Sequence, residues 1–140
     1  MAYIDQAELQ SRFGADEVLA LADRDHDGAP DPGVIDQAIQ DASAEIDAYL
    51  GTRYNVPLSS APAAVKTLAA DITRYRLMDD RPLDEAAKRY DAAIRFLRDV
   101  ANGRAVIGGI DQATEPAAVK YAAQRSQRER TFTRESLEGF

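Results

Sequence analysis

Residues 35–50 of the chain read IDQAIQDASAEIDAYL, and this stretch carries the clearest helical pattern in the sequence. Its apolar side chains recur at spacings of three and four, which places them on one stripe of an α-helix; they are Ile35, Ala38, Ile39, Ala42, Ile46, Tyr49 and Leu50. The polar side of the helix carries amides and carboxylates, and Gly51 follows as a typical helix stop. The stretch therefore predicts an amphipathic helix that packs on a core with one face.

The same periodicity predicts further helices on both sides of this stretch. Upstream, Asp5 is placed to cap a helix over residues 6–13, and residues 16–22 form another. Downstream, Pro62 opens a helix that ends near residue 78, and the last helix covers about residues 83–102. Residues 105–110 are apolar and flanked by glycine, which suits a small strand or arm.

These elements predict an all-α fold, a small bundle of about four to five helices with an extended C-terminal arm. Residues 1–110 form the helical domain. Residues 111–140 form the arm, which we expect to be helical over 117–128 and extended over 130–140.

Composition excludes several classes of protein. The formal net charge of −7 argues against a dedicated DNA-binding protein. Without cysteine there are no disulfides or thiolate zinc sites, and no apolar run approaches the ~20 residues that span a bilayer. We expect a soluble protein, made in a cytoplasm, that does not act on membranes.

Charge is distributed unevenly along the chain. Residues 1–110 carry 12 basic and 19 acidic residues, whereas residues 111–140 carry five of each. Within the second part, residues 120–134 hold five basic residues against Glu129 alone, a net charge of +4. An acidic body with a basic tail is typical of a protein that binds a partner, and the partner can be another copy of itself.

An aspartate-rich loop at residues 23–36 resembles a calcium loop. Its carboxylates stand at loop positions 1, 3, 5 and 9 with glycine at position 6, but position 12 is Val34 where a glutamate is expected. We take as candidate metal ligands Asp23, Asp25, Asp27, Asp31 and Asp36. The alternative is a solvated connector whose last aspartate caps the next helix. No cofactor is required by the sequence, and a structural calcium ion is the one that this loop would hold.

No residue is a candidate for catalysis. His26 is the only histidine, and it lies within the acidic loop, where a surface residue is the usual case. The chain has no phosphate-binding glycine loop and no metalloprotease motif. We therefore expect that the protein is not an enzyme.

The C-terminal residues 130–140 read RTFTRESLEGF, in which apolar anchors alternate with charged residues. This pattern favours a segment that docks on a partner surface over a frayed terminus. The candidate docking residues are Arg128, Arg130, Phe132, Arg134, Leu137 and Phe140.

The chain resembles the Mu-like phage and prophage head–tail connector, or head-completion, family. The resemblance runs from residue 3 to residue 140, and its strongest blocks are residues 38–58 (AIQDASAEIDAYLGTRYNVPL), 68–78 (LAADITRYRLM), 89–103 (RYDAAIRFLRDVANG) and 130–140 (RTFTRESLEGF). None of these blocks is a catalytic motif.

The resemblance implies a structural adaptor of the virion, located at the head–tail junction. Such subunits form a homo-oligomeric ring of about a dozen copies between the portal protein and the tail or tail-terminator protein. DNA would only pass through the channel that the ring continues. The alternative interpretation is a calcium-binding interaction module that uses the loop at residues 23–36.

Overall fold

Five α-helices make up most of the computed structural model, which describes residues 2–113. They are α1 (Gln6–Phe13), α2 (Ala15–Ala22), α3 (Val34–Leu50), α4 (Ala63–Leu77) and α5 (Asp84–Ala101). The prediction of an all-α bundle of about four to five helices is confirmed. The helices begin and end within about two residues of the predicted bounds. The predicted helical and extended parts of the C-terminal arm lie outside the described residues.

Helices α3, α4 and α5 pack against one another, and α1 and α2 form a pair that reaches the bundle where α2 meets α4. The core consists of aliphatic side chains from all three long helices, including Ile46, Leu50, Ile72 and Leu97, each less than 1 % exposed. The predicted inward stripe of α3 is buried except for Tyr49, which is half-buried. Burial of this apolar stripe stabilises the bundle.

Residues next to the two short helices determine where these helices begin and end. The Asp5 carboxylate accepts the Glu8 N–H at 2.7 Å, which satisfies a donor that the first turn of α1 leaves open. Gly14 then separates α1 from α2 with a φ of 91°, a conformation that side chains with a Cβ rarely adopt. Gly14 alone therefore connects the two helices.

The N-terminal segment is tied to the bundle by buried polar contacts. The Tyr3 hydroxyl donates to the Asp47 carboxylate of α3 and accepts the Leu58 N–H at 3.0 Å. The Tyr3 N–H donates to the Ser43 hydroxyl at 3.2 Å. Burial, and then the hydrogen bond to Asp47, raise the pKa of Tyr3 to about 12. This tyrosine thus links three separate parts of the chain.

A second tie joins α2 to α4. Arg74 is 8 % exposed, and its guanidinium pairs with the Glu17 carboxylate at 2.7 Å. The same guanidinium lies over the Phe13 ring, 4.7 Å from its centroid. A charge this well covered is tolerated because it is paired and stacked. Nothing in the sequence indicated that Arg74 would be buried, because it lies on a helix among other polar residues.

The segment after α5 is not the predicted strand. Within residues 2–113 there are no strands, and Tyr54 and Gln112 form only an isolated bridge. Ile107 is instead buried, and its N–H donates to the Tyr54 hydroxyl at 3.0 Å. Of the strand and the arm expected for residues 105–110, the strand does not form, because one apolar anchor among glycines gives too few consecutive residues to pair as a strand. The Ala113 N–H donates to the Arg53 carbonyl at 2.9 Å, so the chain is still attached to the body there.

Candidate functional site

The aspartate-rich loop between α2 and α3 is organised by its own backbone. The Asp23 carboxylate accepts the N–H groups of Asp27 at 3.1 Å and Gly28 at 2.9 Å. Asp25 also accepts the Asp27 N–H, and Asp27 accepts the Ala29 N–H at 2.8 Å. Short polar side chains commonly fold back on the backbone in this way. As a result, carboxylate oxygens of Asp23, Asp25 and Asp27 lie within 4.8 Å of one another.

The structure therefore groups three of the five predicted metal ligands. The other two are apart from them: the Asp31 carboxylate accepts the Arg24 N–H at 2.8 Å, and Asp36 lies exposed in the first turn of α3. The alternative expectation, that the last loop aspartate caps α3, was wrong. Gly33 is the N-cap residue and makes no side-chain capping hydrogen bond. The loop turns back at Pro32 and Gly33, which leaves Asp31 facing Arg24 instead.

The charge of this cluster is supported by the loop amides. Partial burial of Asp23 acts to raise the pKa of its carboxyl, but the N–H groups of Gly28 and Asp27 outweigh it and the pKa is lowered. The carboxylate is therefore kept ionised. Calcium takes six to eight oxygen ligands, so three carboxylates fit an incomplete calcium loop that water or a further ligand would have to complete. His26 beside them is exposed, as predicted.

A second acidic segment lies next to the loop. Arg24 reaches from the loop to the Asp79 carboxylate after α4, at 3.0 Å. Residues 23–36 hold five aspartates against one arginine, and residues 79–85 hold four acidic residues against one arginine. We call these two segments together the acidic pole, and its net formal charge is −7.

A wide cleft opens at the acidic pole. Its volume is about 650 Å³, within the range of known binding pockets. It lies between the loop, the first half of α3 and the end of α4, with apolar side chains in its walls and charged groups around them; its lining residues are Arg24, Pro32, Gly33, Val34, Gln37, Ala38, Asp41, Tyr75, Arg76 and Asp79. We refer to it as the pole cleft.

One wall of the pole cleft is held in place by a polar and aromatic set behind it. The Tyr75 ring stacks on the Tyr90 ring with 4.1 Å between centroids. Glu45 accepts both the Arg76 guanidinium at 2.6 Å and the Tyr90 hydroxyl at 2.9 Å. Burial, and then the hydrogen bond to Glu45, raise the pKa of Tyr90 to about 12. The wall is thus preformed.

Sequence reasoning missed the pole cleft. Nothing in the sequence indicated that Tyr75 would line a cleft or that Arg76 would pair with Glu45. The one available signal was that Glu45 and Arg76 stand beside inward positions on α3 and α4, where a charged residue needs a partner. Such a signal does not reveal that the partners frame a cleft.

The last described residues, Gln112 and Ala113, lie at the other end of α3. The Tyr54 N–H closes the last turn by donating to the Leu50 carbonyl at 2.8 Å, and Gln112 bridges to Tyr54. The 13 residues from Gln37 to Leu50 span about 20 Å of helix. The pole cleft and the exit of residue 113 are therefore at opposite ends of the body. The predicted docking residues 128–140 lie outside the described residues.

The described residues thus form a small all-helical body with a wide cleft at an acidic pole. Comparison with known proteins adds the family. Residues 3–125 match the family described as Bacteriophage Mu, Gp36, and the chain belongs to it.

Two relatives come from phage or prophage sources. The chain is 34% identical over 110 residues to the Mu-like prophage FluMu protein gp36 of Haemophilus influenzae. The aligned region covers 79% of this chain and 77% of the relative. It is 35% identical over 78 residues to gene product J of Escherichia phage Mu, covering 56% of this chain and 55% of that protein. The prediction of a Mu-like phage family is confirmed. Among the described residues, no helix combines the length and apolar character needed to cross a membrane.

Proposed function

We propose that the protein is a structural subunit of the phage particle, a head–tail connector that forms a ring between portal and tail. The observation that carries the proposal is a helical body of the Mu Gp36 family with its acidic pole at one end and its chain exit at the other. Contacts around a ring are heterologous, so two different surfaces of one subunit must complement each other. A body with unlike ends meets this requirement.

The charge distribution supports the same role. Residues 1–50 hold 12 acidic and two basic residues, a net charge of −10, whereas residues 51–110 hold seven acidic and ten basic residues, a net charge of +3. Acidic and basic residues in one subunit allow neighbouring copies to present surfaces of complementary charge to each other. A ring with acidic residues towards its channel also repels DNA, which suits a passage that must not retain it.

The partners in this proposal are the portal protein, the tail or tail-terminator protein and further copies of the chain. DNA takes part only as a passenger, and the place of action is the head–tail junction of the virion. No catalytic role is proposed. Residues 128–140 are the proposed contact segment, through Arg128, Arg130, Phe132, Arg134, Leu137 and Phe140.

Electron microscopy tests the proposal. The portal ring of the same phage is mixed with the full chain, and with a chain that ends at Ala113 and so retains every contact described above. We expect an added ring of density on the portal with the full chain and its loss with the shortened chain. Density that survives shortening would keep the connector role and contradict the role of residues 128–140. No added density at any ratio would overturn the connector role.

A second candidate function is a calcium-binding interaction module. The observation that favours it is the convergence of Asp23, Asp25 and Asp27 within 4.8 Å. Calorimetric titration with calcium separates the two functions. Tight binding accompanied by a change of shape, measured by small-angle scattering, favours the module, whereas no heat or stabilisation alone favours the connector.

A further inference from the structure

We propose that the pole cleft of one subunit receives the basic segment 120–134 of a neighbouring copy, with Phe132 as the apolar anchor. This rests on the proposed function, because it names the contact that would join one ring subunit to the next. The proposal names the surface on which this segment binds, whereas the sequence alone predicts only that the C-terminal residues dock on a partner.

Charge complementarity is the first support. The acidic pole around the cleft has a net formal charge of −7, and residues 120–134 carry +4. Arg24 and Arg76 are the basic groups inside the cleft, and each is already paired, with Asp79 at 3.0 Å and with Glu45 at 2.6 Å. Asp41 accepts only a neutral hydrogen bond, from the Gln37 amide at 2.8 Å, among the described residues. It is therefore open to an incoming arginine.

The chemistry of the walls is the second support. Val34, Ala38 and Tyr75 give the cleft apolar surface between its charged groups. In the basic segment, Phe132 is flanked by Arg130 and Arg134 at two residues on either side. In an extended chain, residues two apart point to the same face, so one ring and two guanidiniums are presented together. An apolar pocket with an acidic rim matches that face.

Position in the fold is the third support, because it allows the segment of one copy to reach the cleft of the next. Residue 113 and the pole cleft are at opposite ends of the body, about 20 Å of helix apart. The 19 residues from 113 to 132 can reach at most ~65 Å, which is ample for the next subunit. A segment that leaves one end and a cleft at the other end are the two unlike surfaces that a heterologous contact needs.

Photo-crosslinking with isotope labels tests the proposal on the full chain. A benzophenone amino acid replaces Phe132, and equal amounts of ¹⁴N-labelled and ¹⁵N-labelled protein are mixed, denatured, refolded together and irradiated, alone at high concentration and on the portal ring. We expect crosslinks to peptides that contain residues 32–41 and 75–79, with light–heavy pairs as frequent as like pairs. Only like pairs would place the segment on its own body and overturn the proposal. Crosslinks elsewhere on this chain, to the portal, or to nothing would overturn it as well.

A charge reversal at the cleft supplies the matched test. Asp41→Lys lies at an exposed helix position and should lower the crosslink yield by roughly fivefold or more, because like charges would then face each other. Asp91→Lys, exposed on α5 and outside the cleft, should leave the yield unchanged. Equal yields in both variants would contradict the proposal. Failure here is distinct from failure of the connector role: ring density on the portal with crosslinks outside the cleft would retain the connector and discard this contact.

Discussion

Two arginine–carboxylate pairs join the α2 region to the α4 region, and they differ mainly in exposure. Arg74–Glu17 closes at 2.7 Å with side chains 10% and 35% exposed, whereas Arg24–Asp79 closes at 3.0 Å with side chains 50% and 63% exposed. The partners are separated by similar lengths of chain, 57 and 55 residues. The first pair is part of the packed body, and the second lies at the rim of the pole cleft.

This difference in exposure separates contacts that hold the fold together from contacts that leave the surface available to a partner. The partners of a covered ion pair cannot be replaced by groups of another molecule at small cost, because separating them leaves a charge that is poorly hydrated. An exposed pair gains little over hydration and can be replaced by a partner's charges at small cost. The acidic pole is built from contacts of the second kind, as a docking surface should be.

The largest expected effect is at the covered pair. Arg74→Met keeps much of the side-chain volume but leaves Glu17 unpaired and removes the cation from the Phe13 ring. We expect the free energy of unfolding to fall by about 3 kcal/mol, at the low end for a buried pair because Glu17 keeps some contact with water. Denaturant unfolding at pH 7 measures it.

The matched control is Arg24→Met, which removes the exposed pair between the same regions. Its expected cost is below about 1 kcal/mol, and added salt should reduce it further. Similar costs for the two variants would mean that exposure does not distinguish these pairs, and the contrast between body and pole would not stand.

Alkaline pH should produce the next effect. The pKa of Tyr3 rises from 10.0 to about 12 in the folded protein. The resulting stability is fully present below pH 10, where the hydroxyl is protonated in both states. It is lost between pH 10 and 12, because the unfolded tyrosine ionises first. At about 1.4 kcal/mol per pKa unit, the loss approaches about 2–3 kcal/mol.

Unfolding curves from pH 9 to 12 check this expectation, with Tyr3→Phe as the comparison. The variant should start lower at pH 9, since Leu58 and Asp47 lose their partner, and should then fall less steeply. A variant that keeps the slope of the parent chain would assign the alkaline loss to other groups.

The sequence predicted the helices well because each is marked by its own residues. The stripe of α3, the Asp5 cap and the glycine stops are local, and local signals determine where a helix begins and ends. The candidate site was predicted only in part. Asp23, Asp25 and Asp27 converge because they share one loop, whereas the pole cleft depends on α3 meeting α4, which no single segment encodes. Arg74 and Tyr3 were missed for the same reason: each acts through a partner more than 40 residues away, Glu17 and Asp47 respectively.

A smaller effect is expected at the exit end of the body. Tyr54 is 2% exposed, and its hydroxyl is the acceptor for the buried Ile107 N–H. Tyr54→Phe leaves that donor without a partner and should cost about 1–2 kcal/mol. Hydrogen exchange should show faster exchange of the Ile107 amide, with the amides of α3 unchanged. Unchanged exchange at Ile107 would mean that another acceptor holds this amide.

The smallest effect is expected in the aspartate-rich loop. Asp25→Asn with Asp27→Asn preserves the shape and the hydrogen-bond acceptors of both exposed side chains while it removes two negative charges. In calcium-free buffer we expect the free energy of unfolding to change by less than about 0.5 kcal/mol, as for surface sites in general. A gain in stability would show that crowded carboxylates strain the loop. In millimolar calcium, a parent chain that is stabilised while the double variant is not would assign the ion to this cluster. If calcium stabilises neither chain, the converging carboxylates are explained by the loop's own amides, and the contrast between a fixed body and an exchangeable acidic surface needs no metal.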